Sequence, residues 1–122
     1  MEQLLCHLVG DYVLQSERMA CNKSHNTRMC ALHSVLYSLP FFTIAHNFSQ
    51  VFVIALSHFI LDRFSLTKYF MKFRNIYIDC EIDICELTGM RSDRLESIKW
   101  FVYIVTDNMF HLLCNFFVLK YL

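Results

Sequence analysis

Three pairs of side chains in this sequence share one spacing. His7 and Asp11 stand four apart in CHLVGDYVLQ, and His58 and Asp62 stand four apart in SHFILDRF. Asp107 and His111 repeat the interval, in reversed order, in VTDNMFHLLCNF, while His33 stands alone in ALHSVLY. On an α-helix, residues four apart share a face and lie about 6 Å apart along the axis. Each pair therefore presents an imidazole and a carboxylate together, which is how one helix offers two ligands to a metal.

Ionisable groups are costly in apolar surroundings unless they are paired or coordinated. Seven of them become tolerable when four helices turn them toward one centre. Four imidazoles and three carboxylates exceed the needs of one tetrahedral zinc. They fit two divalent ions, or one ion plus a general base, and mixed nitrogen and oxygen donors suit Zn, Mn or Fe. The expected ligands are His7, Asp11, His33, His58, Asp62, Asp107 and His111, with Asp11 or Asp62 as the proton acceptor. Gln15 and Asn115 extend the same helix faces and are expected to support the ligands. The competing reading is a set of interhelical hydrogen bonds that hold a bundle together. Three pairs at one spacing favour the metal.

Other polar residues carry weaker signals. His25 and His46 have no carboxylate one turn away and read as surface histidines. Arg63 either clamps a phosphate or anchors a helix end, with anchoring the stronger reading. Lys23, Asp93 and Arg94 either line the mouth of the site or are solvated loop charges, and the second is favoured.

The segments that must position these groups are oily. No Asp, Glu, Lys or Arg occurs from Met29 to Leu61. HNFSQ divides this run into helices expected over about 30–45 and 51–63, the first kinked at Pro40. A third apolar helix is expected over 98–122, long enough for a bilayer that needs about 20 residues. An amphipathic helix is expected over about 3–15. Basic residues cluster in 17–29 and 63–97, which places both loops on the cytoplasmic side. Within the second loop, Leu66, Tyr69, Phe70, Phe73 and Tyr77 share a helical face suited to the membrane interface or to an extension of the preceding helix. IYIDCEIDICEL alternates as a short strand or hairpin would.

Composition agrees with this pattern. Hydrophobic residues make up 56% of the 122 and charged residues 18%, against about 25% charged in soluble domains. A net charge of zero gives no footprint for nucleic acid. The six cysteines include no CxxC pair, and reduced thiols are expected. The N-terminus lacks a basic leader and is expected to be retained. The fold expected is all-α: one membrane-embedded domain over 1–122, a compact four-helix bundle with a cytoplasmic interfacial loop between its third and fourth helices.

HLVGDYVLQS with MACNK after it, ALHSVLYSLPF, SHFILDRF, TGMRSDR and DNMFHLLCNF resemble a DUF3307-like family in order and spacing. These are small, uncharacterised multipass proteins of bacteria and bacteriophages, similar to membrane-bound metal-dependent hydrolases. The likeness spans nearly the whole chain; only the acidic stretch from Asp79 to Glu86 looks individual. It implies an inner-membrane metalloprotein whose site is the seven residues above, without supplying a substrate. The leading expectation is a hydrolase acting on a phosphoester or lipid headgroup. The alternative is a non-enzymatic protein with a structural His/Asp cluster that binds a host membrane protein. Transport is a third class, for which so short a chain leaves little room.

Overall fold

The computed structural model describes residues 1–78 and 83–122. Among them are six α-helices and no strand: α1 (Glu2–Leu8), α2 (Glu17–Asn22), α3 (Thr27–Ser38), α4 (Phe48–Phe64), α5 (Leu66–Tyr77) and α6 (Glu96–Tyr121). The chain divides into two compact units, Met1–Phe64 with His111–Leu122, and Ser65–Phe110.

In the first unit, α1 does not end as a plain α-helix. It runs into a π-helical turn over Val9–Val13, marked by the bond from Leu14 N to Val9 O at 3.0 Å. A π turn adds a residue to the helical repeat and re-aims the side chains within it, a device frequent at functional sites. Asp11 lies inside that turn. Gly10 lets α3 come close: a Cβ there would lie 2.6 Å from Tyr37 Cδ2 and 2.9 Å from Tyr37 O.

Local chemistry sets the other boundaries. Ser16 caps α2 by accepting from Met19 N, and Asn26 caps α3 by accepting from Arg28 N and Met29 N. Pro40 does not kink a continuing α-helix, as expected from sequence. It sits in the first turn of a 3-10 helix, Leu39–Thr43, because it has no N–H to continue the α-helical ladder. α4 begins three residues earlier than expected. Asn47 Oδ1 accepts from Gln50 N, and Gln50 Oε1 accepts from His46 N, a reciprocal cap. Gln50 Nε2 also donates to Leu119 O, and Gln3 Nε2 to Leu112 O, tying α4 and α1 to α6. The apolar core is small: Cys6, Tyr37, Phe41 and Ile54, with Ile44, Val118 and Leu119 against it.

This unit is apolar outside and polar inside. His7, Asp11, His33, Ser34, Gln50, His58, Asp62, His111 and Asn115 are buried, while Leu32 and Val35 of α3, Phe52, Leu56 and Ile60 of α4, and Phe116 and Phe117 of α6 are exposed. α6 is long and apolar enough to cross a membrane, and only 11% of its most apolar stretch is buried. Its 26 residues span about 39 Å, more than the hydrocarbon thickness of about 30 Å.

The second unit is built on α5, whose buried face is Thr67, Met71 and Asn75. This matches the helix expected over the second basic loop. Ser65, in the left-handed conformation at φ 49°, separates it from α4. The chain from Ile84 to Arg91 folds back as a tight loop with one antiparallel bridge between those residues. Gly89, at φ 70°, seats this loop on α5, where a Cβ would lie 2.7 Å from Lys68 O and Lys72 N. Asn75 Nδ2 donates to Gly89 O at 2.6 Å. The hairpin-like part of the sequence reading is present here, whereas Asp79 to Ile82 lie outside the described residues.

Candidate metal centre

Four helical segments of the first unit deliver the chemistry. The end of α1 and its π turn carry His7 and Asp11, α3 carries His33, α4 carries His58 and Asp62, and α6 carries His111. All six are buried. The helices are amphipathic in the inverse sense: the polar stripe faces inward, so their packing brings these side chains together.

Four donor atoms converge. His33 Nε2 and His58 Nε2 lie 2.9 Å apart. His33 Nε2 is 3.2 Å from Asp11 Oδ1 and 3.4 Å from Asp62 Oδ2. His58 Nε2 is 3.4 Å from Asp11 Oδ1 and 3.2 Å from Asp62 Oδ2. Metal–ligand bonds of about 2.0–2.1 Å in tetrahedral geometry place donors about 3.3 Å apart, and these five distances, from 2.9 to 3.4 Å, lie around that value. Asp11 Oδ1 is buried without a well-formed hydrogen bond from the described residues, whereas Asp62 Oδ2 meets the Lys23 ammonium at 2.9 Å. Two buried carboxylates beside the same pair of imidazoles favour positive charge near them. His33, His58 and Asp62 form one group with metal-holding geometry, and Asp11, His58 and His111 form another.

The second oxygen of each carboxylate turns outward to another imidazole. Asp11 Oδ2 is 3.4 Å from His7 Nδ1, and Asp62 Oδ1 is 3.5 Å from His111 Nε2. Six of the seven candidates thus lie together, His7 and His111 each facing a carboxylate oxygen and His111 also forming a metal-holding group with Asp11 and His58. Such outer partners fix ligand orientation and tune the site.

Tyr37 is the positioning residue that sequence reasoning missed. It is fully buried, its ring stacks on His58 with centroids 3.6 Å apart, and its hydroxyl accepts from Asn115 Nδ2 at 2.6 Å. The same hydroxyl lies 2.9 Å from His7 Nδ1. His33 Nδ1 and His58 Nδ1 have no hydrogen-bond partner among the described residues, so stacking on Tyr37 and the contacts of Nε2 orient His58. A signal existed in the sequence: Tyr37 lies one turn after His33, and a tyrosine hydroxyl in an apolar run needs a partner. Asn115 therefore supports the site through Tyr37, while Gln15 Oε1 is buried without a hydrogen-bond donor among the described residues.

Asp107 belongs to the second unit, where its Oδ1 accepts from Thr67 Oγ1 at 2.6 Å. Arg63 anchors rather than clamps: its Nε donates to Thr27 Oγ1 and its Nη1 to Ser24 O. Lys23, read from sequence as a solvated charge, instead reaches inward and pairs with Asp62 Oδ2 at 2.9 Å. His25 and His46 are exposed. Asp93 is an exposed loop residue paired with Arg91. The described cysteines are all free, and none belongs to the metal-holding groups.

Fold and site together define an all-helical protein with a buried His/Asp cluster able to hold a metal ion. The chain belongs to the family described as protein of unknown function DUF3307, whose profile matches residues 1–121. No curated protein and no solved structure matches it.

Proposed function

We propose that the protein is a membrane-embedded, metal-dependent hydrolase acting on a phosphoester, with a lipid headgroup as the natural source at that location. The observation that carries the metal is the group His33, His58 and Asp62, with Asp11 Oδ1 3.2 and 3.4 Å from the same two imidazole nitrogens. His58 takes part in both metal-holding groups that lie within the first unit. One imidazole nitrogen serves one ion, so we assign one ion per chain, Zn or Mn by donor type. A divalent ion supplies Lewis acidity and an activated water near neutral pH. Asp11 and Asp62 hold its charge, His7 and His111 fix their second oxygens, and Tyr37 fixes His58. A carboxylate not fully engaged by the ion, Asp11 or Asp62, would take the proton from water.

The inverted surface supports the membrane setting. Apolar side chains stand outward on α3, α4 and α6 while the ionisable groups are inside, as a bilayer requires. Lys23, Arg63 and the α2–α3 connection lie at the end of the unit nearest Asp62, and this basic end reads as cytoplasmic in a multipass inner-membrane protein.

One observation favours a second reading. Asp11, His33, His58 and Asp62 would offer four protein donors, and four protein ligands are the habit of structural sites, whereas catalytic sites keep a position open. A structural centre in a protein that binds a host membrane partner would have this form. The discriminating experiment uses zinc- or manganese-loaded protein in lipid nanodiscs, assayed against phosphomonoester, phosphodiester and phosphatidate substrates. The hydrolase reading expects turnover that is lost in Asp62→Asn. Full metal content with no turnover on any substrate would establish the structural reading instead.

A further inference from the structure

α5 is turned the wrong way round for a helix in water. Its inward stripe is Thr67, Met71 and Asn75, all buried. Two of the three are polar, and both are satisfied within the second unit. Thr67 Oγ1 donates to Asp107 Oδ1, and Asn75 Nδ2 donates to Gly89 O. The close approach of Gly89 to the α5 backbone seats the loop on that side. Contacts inside the unit thus fix the rotation of the helix, and they leave its aromatic side outward.

At about 100° per residue, Leu66, Tyr69, Phe70, Phe73, Ile76 and Tyr77 fall in one arc of about 120° opposite the buried stripe. All six are exposed, and Tyr69, Phe73 and Tyr77 are each more than half exposed. The Phe73 and Tyr77 rings lie side by side, with centroids 4.6 Å apart. α5 contains no Asp or Glu. Its cations border the arc, Lys68 and Lys72 on one side and Arg74 on the other. Lys72 pairs with Glu86 at 2.8 Å, and Lys68 Nζ lies 5.1 Å from the Tyr69 ring centre. What matters is that charge stands at the margins of the arc, not that any cation is unpaired.

A bilayer interface fits this division. Aromatic rings settle at headgroup level, while lysine and arginine lay their stems along the apolar boundary and keep their charges in water. A crossing helix does not fit it. The 12 residues of α5 span about 18 Å, against about 30 Å of hydrocarbon. We propose that α5 is an in-plane membrane helix, with its Tyr69, Phe73 and Tyr77 face sunk into the headgroup–acyl boundary of a lipid bilayer. This rests on the membrane setting above, is independent of the metal, and extends that setting to the second unit.

The test uses the full chain reconstituted in phosphatidylcholine vesicles. Trp100, the single native tryptophan, is removed by Trp100→Phe, and one tryptophan is introduced at a time by Phe73→Trp or Phe117→Trp. Both phenylalanines are exposed. Quenching of each tryptophan is compared between lipids brominated near the glycerol and lipids brominated near the chain ends. The expected result for Phe73→Trp is stronger quenching by the shallow bromines, at a depth of about 5–10 Å. Stronger quenching by the deep bromines would place α5 in the hydrocarbon and overturn the proposal. No quenching for Phe73→Trp, with quenching for Phe117→Trp, would also overturn it, whether water or a second copy covers the face. No quenching for either variant would instead remove the membrane setting beneath it. A measurement on the wild type guards against misfolding. A lipid carrying a photoreactive carbene precursor near its headgroup should label the segment from Leu66 to Tyr77, read by mass spectrometry, and an unlabelled segment would overturn the proposal as well.

Discussion

Gly10→Ala is a one-carbon change that tests how the centre is held. The added Cβ would lie 2.6 Å from Tyr37 Cδ2, 2.9 Å from Tyr37 O and 3.1 Å from Tyr37 Cα. Two of those neighbours are backbone atoms of α3, so a side-chain rotation cannot relieve the clash. The helices must separate, or the π turn must shift. Overpacking of this kind costs about 1–3 kcal/mol. The displaced residue is the one that stacks on His58 at 3.6 Å and bonds to His7 and Asn115. Loss of an orienting partner lowers metal affinity about 10–100-fold, and Gly10→Ala disturbs several at once. The assay is zinc affinity by competition with a chromophoric chelator, alongside thermal stability with and without zinc. The variant should fold, bind zinc at least about tenfold more weakly and gain less thermal stability from it. Wild-type affinity with wild-type stability would show that the contact between the π turn and Tyr37 does not position the ligands.

Tyr37→Phe keeps the ring over His58 but removes the hydroxyl shared by His7 and Asn115. It should cost about 1–3 kcal/mol in chemical denaturation while lowering zinc affinity less than Gly10→Ala does. Gly89→Ala forces a residue at φ 70° against Lys68 O and Lys72 N. It should cost at least about 1–2 kcal/mol, seen as faster amide exchange across Leu66–Tyr77. Cys85 sits in the loop of the second unit, where backbone N–H groups of Leu87 and Thr88 hold its thiol below the usual range. A lowered value means that thiolate is present at lower pH. The pH midpoint of iodoacetamide labelling at Cys85 should therefore lie below that of the same segment as an unfolded peptide. An equal or higher midpoint would contradict the loop geometry.

Much of the site was legible because a helix converts sequence spacing into a shared face. His7 with Asp11 and His58 with Asp62 announced themselves, and His33 followed from its isolation in an apolar run. The long α6 and the α5 helix were also readable from composition and periodicity. What escaped depended on contacts between segments far apart in sequence. Lys23 looks like any loop charge until the α2–α3 connection is packed against the end of α4. Tyr37 looks like an aromatic core residue until α1 comes within reach, which the small residue Gly10 allows. The π turn at Val9–Val13 carries no propensity signal of its own. The equal spacing of the three pairs did not say which carboxylate oxygen each histidine meets: His7 faces Asp11 Oδ2, whereas His111 faces Asp62 Oδ1 of another pair. Asp107 finds Thr67, a partner that no helical periodicity could name.

X-ray absorption at the zinc edge of the loaded protein tests the central claim most directly, because it reports which donors surround the ion. The account predicts nitrogen and oxygen neighbours only, at about 2.0–2.1 Å, with the outer-shell scattering of two imidazoles. That signal should collapse to one imidazole or vanish in His58→Ala. A sulfur neighbour at about 2.3 Å, or a spectrum indifferent to loss of His33 and His58, would contradict it.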